Sequence, residues 1–217
     1  MKKVVLLGDS IRFQYQNHVQ KALENVAEVM APEDSGRFAV YTMRFIYEWK
    51  NKGNWGDDVD VVHWNVGAWD VIYLYGEDQP LTTKEYYAYM IRRIHNNLRK
   101  FFPKAKFVFA TITAVKEELY DEWWFRRKNT TIEEFNAAAI EALEGTGTII
   151  NDLYSYTKEL PQPYYKDPEH FTLDLGAPHL AKKVSSVICD VLGLDESQLK
   201  DADGTEVKKV DAHTFGK

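Results

Sequence analysis

Apolar positions along the chain fall into short continuous runs, separated by longer stretches in which they recur at helical intervals. The runs cover residues 3–7, 28–31, 59–64, 106–112 and 148–151 and are rich in β-branched side chains. Runs of this length without polar alternation mark strands covered on both faces, as in a parallel sheet. Residues 13–26, 41–50, 83–102, 132–143 and 177–192 instead repeat apolar side chains every three or four positions, which predicts amphipathic helices. Strands alternating with helices imply a doubly wound α/β fold on a five-stranded parallel sheet. Helix-start chemistry agrees: Ser10, Thr82-Thr83 with Glu85, and Thr130-Thr131 with Glu133-Glu134 can accept from the opening amides of the first, third and fourth helices.

A parallel sheet sends the loops that follow its strands to one edge, where ligands bind in open α/β folds. Three such loops, 31–39, 68–81 and 115–129, are longer than a compact domain requires. They carry Trp69, Tyr73, Tyr75, Trp123 and Trp124 to that edge, where large rings either line a cleft or pack the loops onto the sheet. Trp69, Trp123 and Trp124 are the candidate substrate-binding aromatics. Beyond Leu194 the chain turns polar, so residues 1–194 are read as the catalytic domain and 195–217 as a polar tail or extension.

With 217 residues, one domain can bury a core without staples, and the single cysteine, Cys189, allows no intramolecular disulfide. Cys189 lies in an apolar helical stretch and reads as a core residue. The net charge of −6 argues against a nucleic-acid partner. The basic groups Arg92-Arg93, Arg99-Lys100 and Arg126-Arg127-Lys128 are flanked by acids and read as solvated helix faces. Met1-Lys2-Lys3 precedes only four apolar residues before Gly8-Asp9, too few for a signal peptide or a membrane span, so a cytoplasmic location without membrane partners is expected. We expect neither metal nor cofactor, because the sequence holds no phosphate loop, no dinucleotide fingerprint and no metal-like ligand spacing around His18, His63, His95 or His213.

The first run ends in Gly8-Asp9-Ser10, a strand-to-helix turn that aims a hydroxyl out of the sheet. Serine is a weak nucleophile unless an imidazole takes its proton and a carboxylate holds that imidazole in one tautomer. Asp167-Pro168-Glu169-His170, just before the last helix, can supply both groups. Ser10, His170 and Asp167 therefore form a candidate triad, with His179 as the replacement base if Asp167-x-x-His170 is not the partner.

Gly8-Asp9-Ser10-Ile11, together with Asp167-Pro168-Glu169-His170-Phe171-Thr172 and Gly176, resembles the first and last sequence blocks of the SGNH (GDSL-like) hydrolases. The resemblance spans about residue 2 to 194 and implies a flavodoxin-like three-layer α/β/α sandwich that hydrolyses esters through an acyl-enzyme. It also implies an oxyanion hole built from the Ser10 amide, the amide of Gly36 and a side-chain donor. The third family block departs from the pattern: Gly67-Ala68-Trp69-Asp70 has an indole where an asparagine is usual. Asn65, at the end of the preceding strand, is the substitute donor, or else it caps that strand end.

The expected activity is hydrolysis of a short-chain or acetyl ester, carried by a small molecule or a glycan. Two rivals stay open: a non-catalytic carbohydrate-binding module that keeps the fold, and a transferase that passes the acyl group to an acceptor other than water. Oligomeric state is not legible in the sequence.

Overall fold

The structure, a computed structural model, describes residues 1–121 and 124–200. Its strands are β1 (Lys2–Leu7), β2 (Ala27–Met30), β3 (Val61–Trp64), β4 (Tyr73–Leu74), β5 (Lys106–Ala110), β6 (Phe125–Arg126) and β7 (Ile149–Asn151). The helices are α1 (Ser10–Leu23), α2 (Ala39–Lys52), α3 (Lys84–Phe101), α4 (Asn129–Leu143), α5 (Leu153–Lys158) and α6 (Gly176–Leu192). Five strands pair in parallel in the order β2-β1-β3-β5-β7, while β4 and β6 form a separate antiparallel ribbon.

Strand period and helix period divide the core in two. Along β1, Val5 and Leu7 face α2, α3 and α4, whereas Val4 and Leu6 face α1 and α6. Val62 and Trp64 of β3, with Phe107 and Phe109 of β5, join the first layer; Val61, Val108 and Ala110 join the second. Both faces of the sheet are thus covered, as continuous apolar runs require. The result is a three-layer α/β/α sandwich. Cys189 is buried in the α1/α6 layer, and among the described residues no helix is long and apolar enough to cross a membrane.

Several local expectations change. Asp9, not Ser10, caps α1: its Oδ1 accepts from the Ile11 amide at 3.0 Å, and Ser10 becomes the first helical residue. At α3, Thr83 does cap, accepting from the Tyr86 amide. α4 starts ahead of Thr130-Thr131, at Asn129, whose amide donates to the distant Glu117 carboxylate at 2.7 Å. Residues 195–200 return to the domain: Lys200 N–H donates to the Ala22 carbonyl at 3.0 Å, while Leu194 and Leu199 pack on the α1/α6 layer. Residues 201–217, the rest of the polar extension, lie outside the described residues.

Two histidines belong to this scaffold. His95 on α3 bonds Thr148 Oγ1 at 3.1 Å. His63 on β3 is wholly buried, its Nε2 3.1 Å from the Asn151 side-chain nitrogen, and burial lowers its pKa to about 3. In the unfolded chain that imidazole titrates near 6.5, so the stability it confers is complete above that pH and is lost as pH falls toward 3. The loss amounts to about 1.4 kcal/mol per pH unit inside that window. Urea unfolding at pH 7.5 and 5.0 should show the gap between wild type and His63→Gln moving in the variant's favour by about 2 kcal/mol; a constant gap would mean that the imidazole is not held neutral.

Candidate active site

The turn from β1 into α1 sets the position of Ser10. Because Asp9 caps α1 through the Ile11 amide, the Ser10 hydroxyl is not consumed as a cap. Gly8 is obligatory there, since a Cβ would overlap the Asn65 side-chain oxygen and crowd Arg12. Ser10 Oγ lies 2.9 Å from His170 Nε2 across a sequence separation of 160. His170 Nδ1 in turn meets Asp167 Oδ2 at 2.9 Å and Oδ1 at 3.1 Å.

Asp167 also builds the turn that presents His170. Its Oδ1 accepts from the Glu169 amide at 3.0 Å and the His170 amide at 2.8 Å. Burial raises the Asp167 carboxyl, but the hydrogen bonds and charge of His170 outweigh that cost and hold it below its ordinary value. Lys116 N–H on the Pro168 carbonyl and Lys166 N–H on the His170 carbonyl, both at 2.7 Å, pin the two sides of this loop. His179 instead lies on α6, stacked on Tyr156 with ring centroids 4.5 Å apart.

Gln14, one helical turn after Ser10, was not evident from sequence. Its side-chain amide donates to the Phe171 carbonyl and accepts from the Phe171 amide, both at 3.0 Å, across a separation of 157 residues. Nothing in a lone glutamine on an amphipathic helix signals such a partner.

The oxyanion-hole expectation needs correction at Gly36. Its N–H donates to the Gly8 carbonyl at 2.8 Å, so this amide serves to dock the 31–39 loop rather than stand free beside Ser10. The Ser10 N–H, at the first helical position, has no intrahelical acceptor. Asn65 is buried at the end of β3 beside Gly8, and its hydrogen bond to Asp9 partly offsets the rise that burial imposes on that carboxyl.

Trp69 is half-buried in a turn of the 68–81 loop. The next residue, Asp70, has a structural role: both its carboxylate oxygens accept from the Ala39 amide, at 3.0 and 3.3 Å, and so cap α2 from a distance. Burial pushes its carboxyl up to about 7. Tyr73 is buried with its hydroxyl on Thr131, whereas Tyr75 and Trp124 meet at the outer end of the β4–β6 ribbon and are 67% and 44% exposed. Trp123 lies outside the described residues.

Arg127 is the largest departure from expectation. It follows β6 instead of lying on a solvated helix face, and only 3% of its side chain is exposed. Its Nε donates to the Ala68 carbonyl, and Nη1 pairs with Glu169. Asp167, Glu169 and His170 place ligand-type atoms within 4.8 Å of one another, as a cation site would. Each is already engaged: His170 by Ser10 and Asp167, and Glu169 by Arg127.

No protein-family model and no curated protein matches the sequence. Solved structures do match in fold. A lipase/acylhydrolase from Enterococcus faecalis superposes with a TM-score of 0.64 at 18% identity, covering 93% of this chain and 98% of that one. An acetyl xylan esterase gives 0.66 at 17% identity over 86% and 99% of the two chains. A carbohydrate esterase family 3 protein from Talaromyces cellulolyticus gives 0.63 at 16% identity over 90% and 100%. The fold is therefore that of the SGNH, GDSL-like hydrolases. At these identities the likeness is one of architecture, and the chemistry rests on this chain's own residues.

Replacing Gln14 by Ala leaves the Phe171 N–H and C=O without their partner. Unfolding should cost about 1–3 kcal/mol less for Gln14→Ala than for wild type in urea titration, and the exchange protection of the Phe171 amide should drop with it.

Proposed function

We propose that this chain is a serine esterase acting on short acyl esters. The observation that carries the reading is the unbroken line from Ser10 Oγ through the His170 ring to the Asp167 carboxylate. In this reading Ser10 Oγ attacks the acyl carbonyl carbon while His170 Nε2 takes its proton, and Asp167 keeps the Nδ1 proton in place. In this reading the Ser10 N–H and the Asn65 N–H that Asp9 does not use donate to the developing oxyanion, each donor worth about 3–4 kcal/mol in such holes. Collapse of the tetrahedral intermediate expels the alcohol, protonated from Nε2. Water then attacks the acyl-Ser10 carbonyl, with His170 again as base, and releases the acid.

Two features favour a small acyl group on a sugar. The cavity beside Asp9 and Ile11, walled also by Asn65, Ile112 and Leu153, has room for no more than about one water molecule. The exposed rings of Tyr75 and Trp124 offer a stacking surface of the kind that sugar rings use. The structural neighbours described above, an acetyl xylan esterase and a carbohydrate esterase among them, support the same class.

A fluorophosphonate probe followed by intact mass measurement should add one adduct to the wild type and none to Ser10→Ala, whose esterase turnover should fall by roughly three to six orders of magnitude. An unlabelled wild type would sink the reading in favour of a binding module, and acyl transfer to added sugar in preference to water would favour the transferase. With p-nitrophenyl esters, kcat/KM should fall at least about tenfold from acetate to hexanoate, in line with the energy of misfitting methylenes. Trp124→Ala should raise KM for acetylated xylo-oligosaccharides while leaving p-nitrophenyl acetate nearly unaffected; equal losses on both substrates would remove Trp124 from the sugar site.

A further inference from the structure

A buried arginine beside a catalytic imidazole needs an account, because desolvating a guanidinium is costly unless its partners are fixed. Arg127 has such partners on two different loops: the Ala68 carbonyl of the 68–81 loop and the Glu169 carboxylate of the loop that carries His170. Its guanidinium also lies over the Phe125 ring, 4.8 Å from the centroid. Glu169 is the residue between Pro168 and His170, and its Oε1 lies only 3.9 Å from His170 Nδ1, the nitrogen that Asp167 already holds. Two carboxylates therefore compete for one ring nitrogen, and one of them is tied to a guanidinium.

We propose that Arg127 is a positioning residue that holds the Glu169 carboxylate off His170, so that Asp167 alone orients the imidazole and the ring stays free to accept the Ser10 proton. The proposal rests on the esterase reading of the Ser10–His170–Asp167 arrangement. The groups facing the imidazole are few. Ser10 and Asp9 approach from the start of α1, Asp167 and Glu169 from its own loop, and Arg127 from the chain after β6. Tyr120 sits behind Arg127 and Asp167, and the Lys166 charge reaches Asp167. In this set Arg127 is the buried fixed positive charge. It offsets Glu169, and removing it leaves the imidazole facing an extra uncompensated carboxylate, which favours the protonated ring. Burial lowers the Arg127 pKa, with Tyr120, Asp9 and Asp167 opposing, and the guanidinium keeps its charge at any pH the enzyme would meet.

The test compares wild type with Arg127→Gln, Arg127→Lys, Glu169→Gln and the double variant Arg127→Gln/Glu169→Gln. The readouts are the pH profile of kcat/KM on p-nitrophenyl acetate and an NMR titration of the ¹⁵N-labelled His170 ring. Arg127→Gln should move the acidic midpoint up by about one pH unit, Glu169→Gln should move it down, and the double variant should return to within about 0.3 of wild type. Arg127→Lys, which keeps the charge but loses the fork, should keep the midpoint while losing activity at every pH. Midpoints that coincide in all variants, or a double variant no closer to wild type than Arg127→Gln, would overturn the proposal and leave Arg127 a structural anchor. If Arg127→Gln fails to fold, the comparison of Glu169→Gln with the double variant decides the same point. Failure of the esterase reading is seen separately, as a wild type that neither turns over nor takes the fluorophosphonate; the NMR titration still decides the placement of charge.

Discussion

One side-chain amide locks the turn that carries Ser10 to the loop that carries His170. Gln14 grips both backbone groups of Phe171 and so fixes α1, which starts at Ser10, against the loop that carries His170. The fold brings these segments to a common edge, and the proton transfer proposed between Oγ and Nε2 needs tighter placement than a shared edge alone gives. A pair of hydrogen bonds in a fixed fork removes that freedom at small entropic cost, because Gln14 projects from a helix already held by Ile11, Tyr15 and Val19 in the core. Asp9 plays the matching part on the other side, since by capping α1 itself it leaves the neighbouring hydroxyl available to the imidazole.

Much of this architecture is legible in the sequence because it depends on period. The apolar runs 3–7, 28–31, 59–64, 106–112 and 148–151 became the strands of the main sheet, and the helical stretches became α1 to α4 and α6 within a few residues at each end. The short α5 and the β4–β6 ribbon escaped because a few residues carry no readable period. Gly8-Asp9-Ser10 and Asp167-x-x-His170 were legible because each packs several chemical signals into a short window. What could not be read were contacts made across space by ordinary residues: Gln14 on Phe171, Asp70 on the Ala39 amide, and Gly36 on the Gly8 carbonyl. Arg127 was misread for the same reason. Its neighbours in sequence, the exposed Arg126 and the half-buried Lys128, are charged, whereas its partners, Ala68 and Glu169, come from distant segments.

The ring of loops around Ser10 is held largely by polar contacts, in contrast to the apolar layers beneath it. Backbone carbonyls of Gly8, Ala68, Pro168 and Phe171 each receive a donor from a different segment. Hydrogen bonds are directional where apolar packing is not, so such a rim fixes angles as well as distances. Fixed donors and acceptors around a reacting centre need not reorganise when charge develops there.

The β4–β6 ribbon gives this rim a modular character. Its register pairs Tyr73 with Arg126 and Leu74 with Phe125, which leaves Tyr75 and Trp124 at the outer end and Arg127 at the inner one. Additions at the outer end would lengthen the ribbon without disturbing the register at its base. A lineage carrying this fold can therefore trade the outer aromatic surface for another while the inner charge arrangement is inherited intact. A designer testing the proposed ester specificity has the same division to exploit: randomise the ribbon's outer end, and leave its root alone.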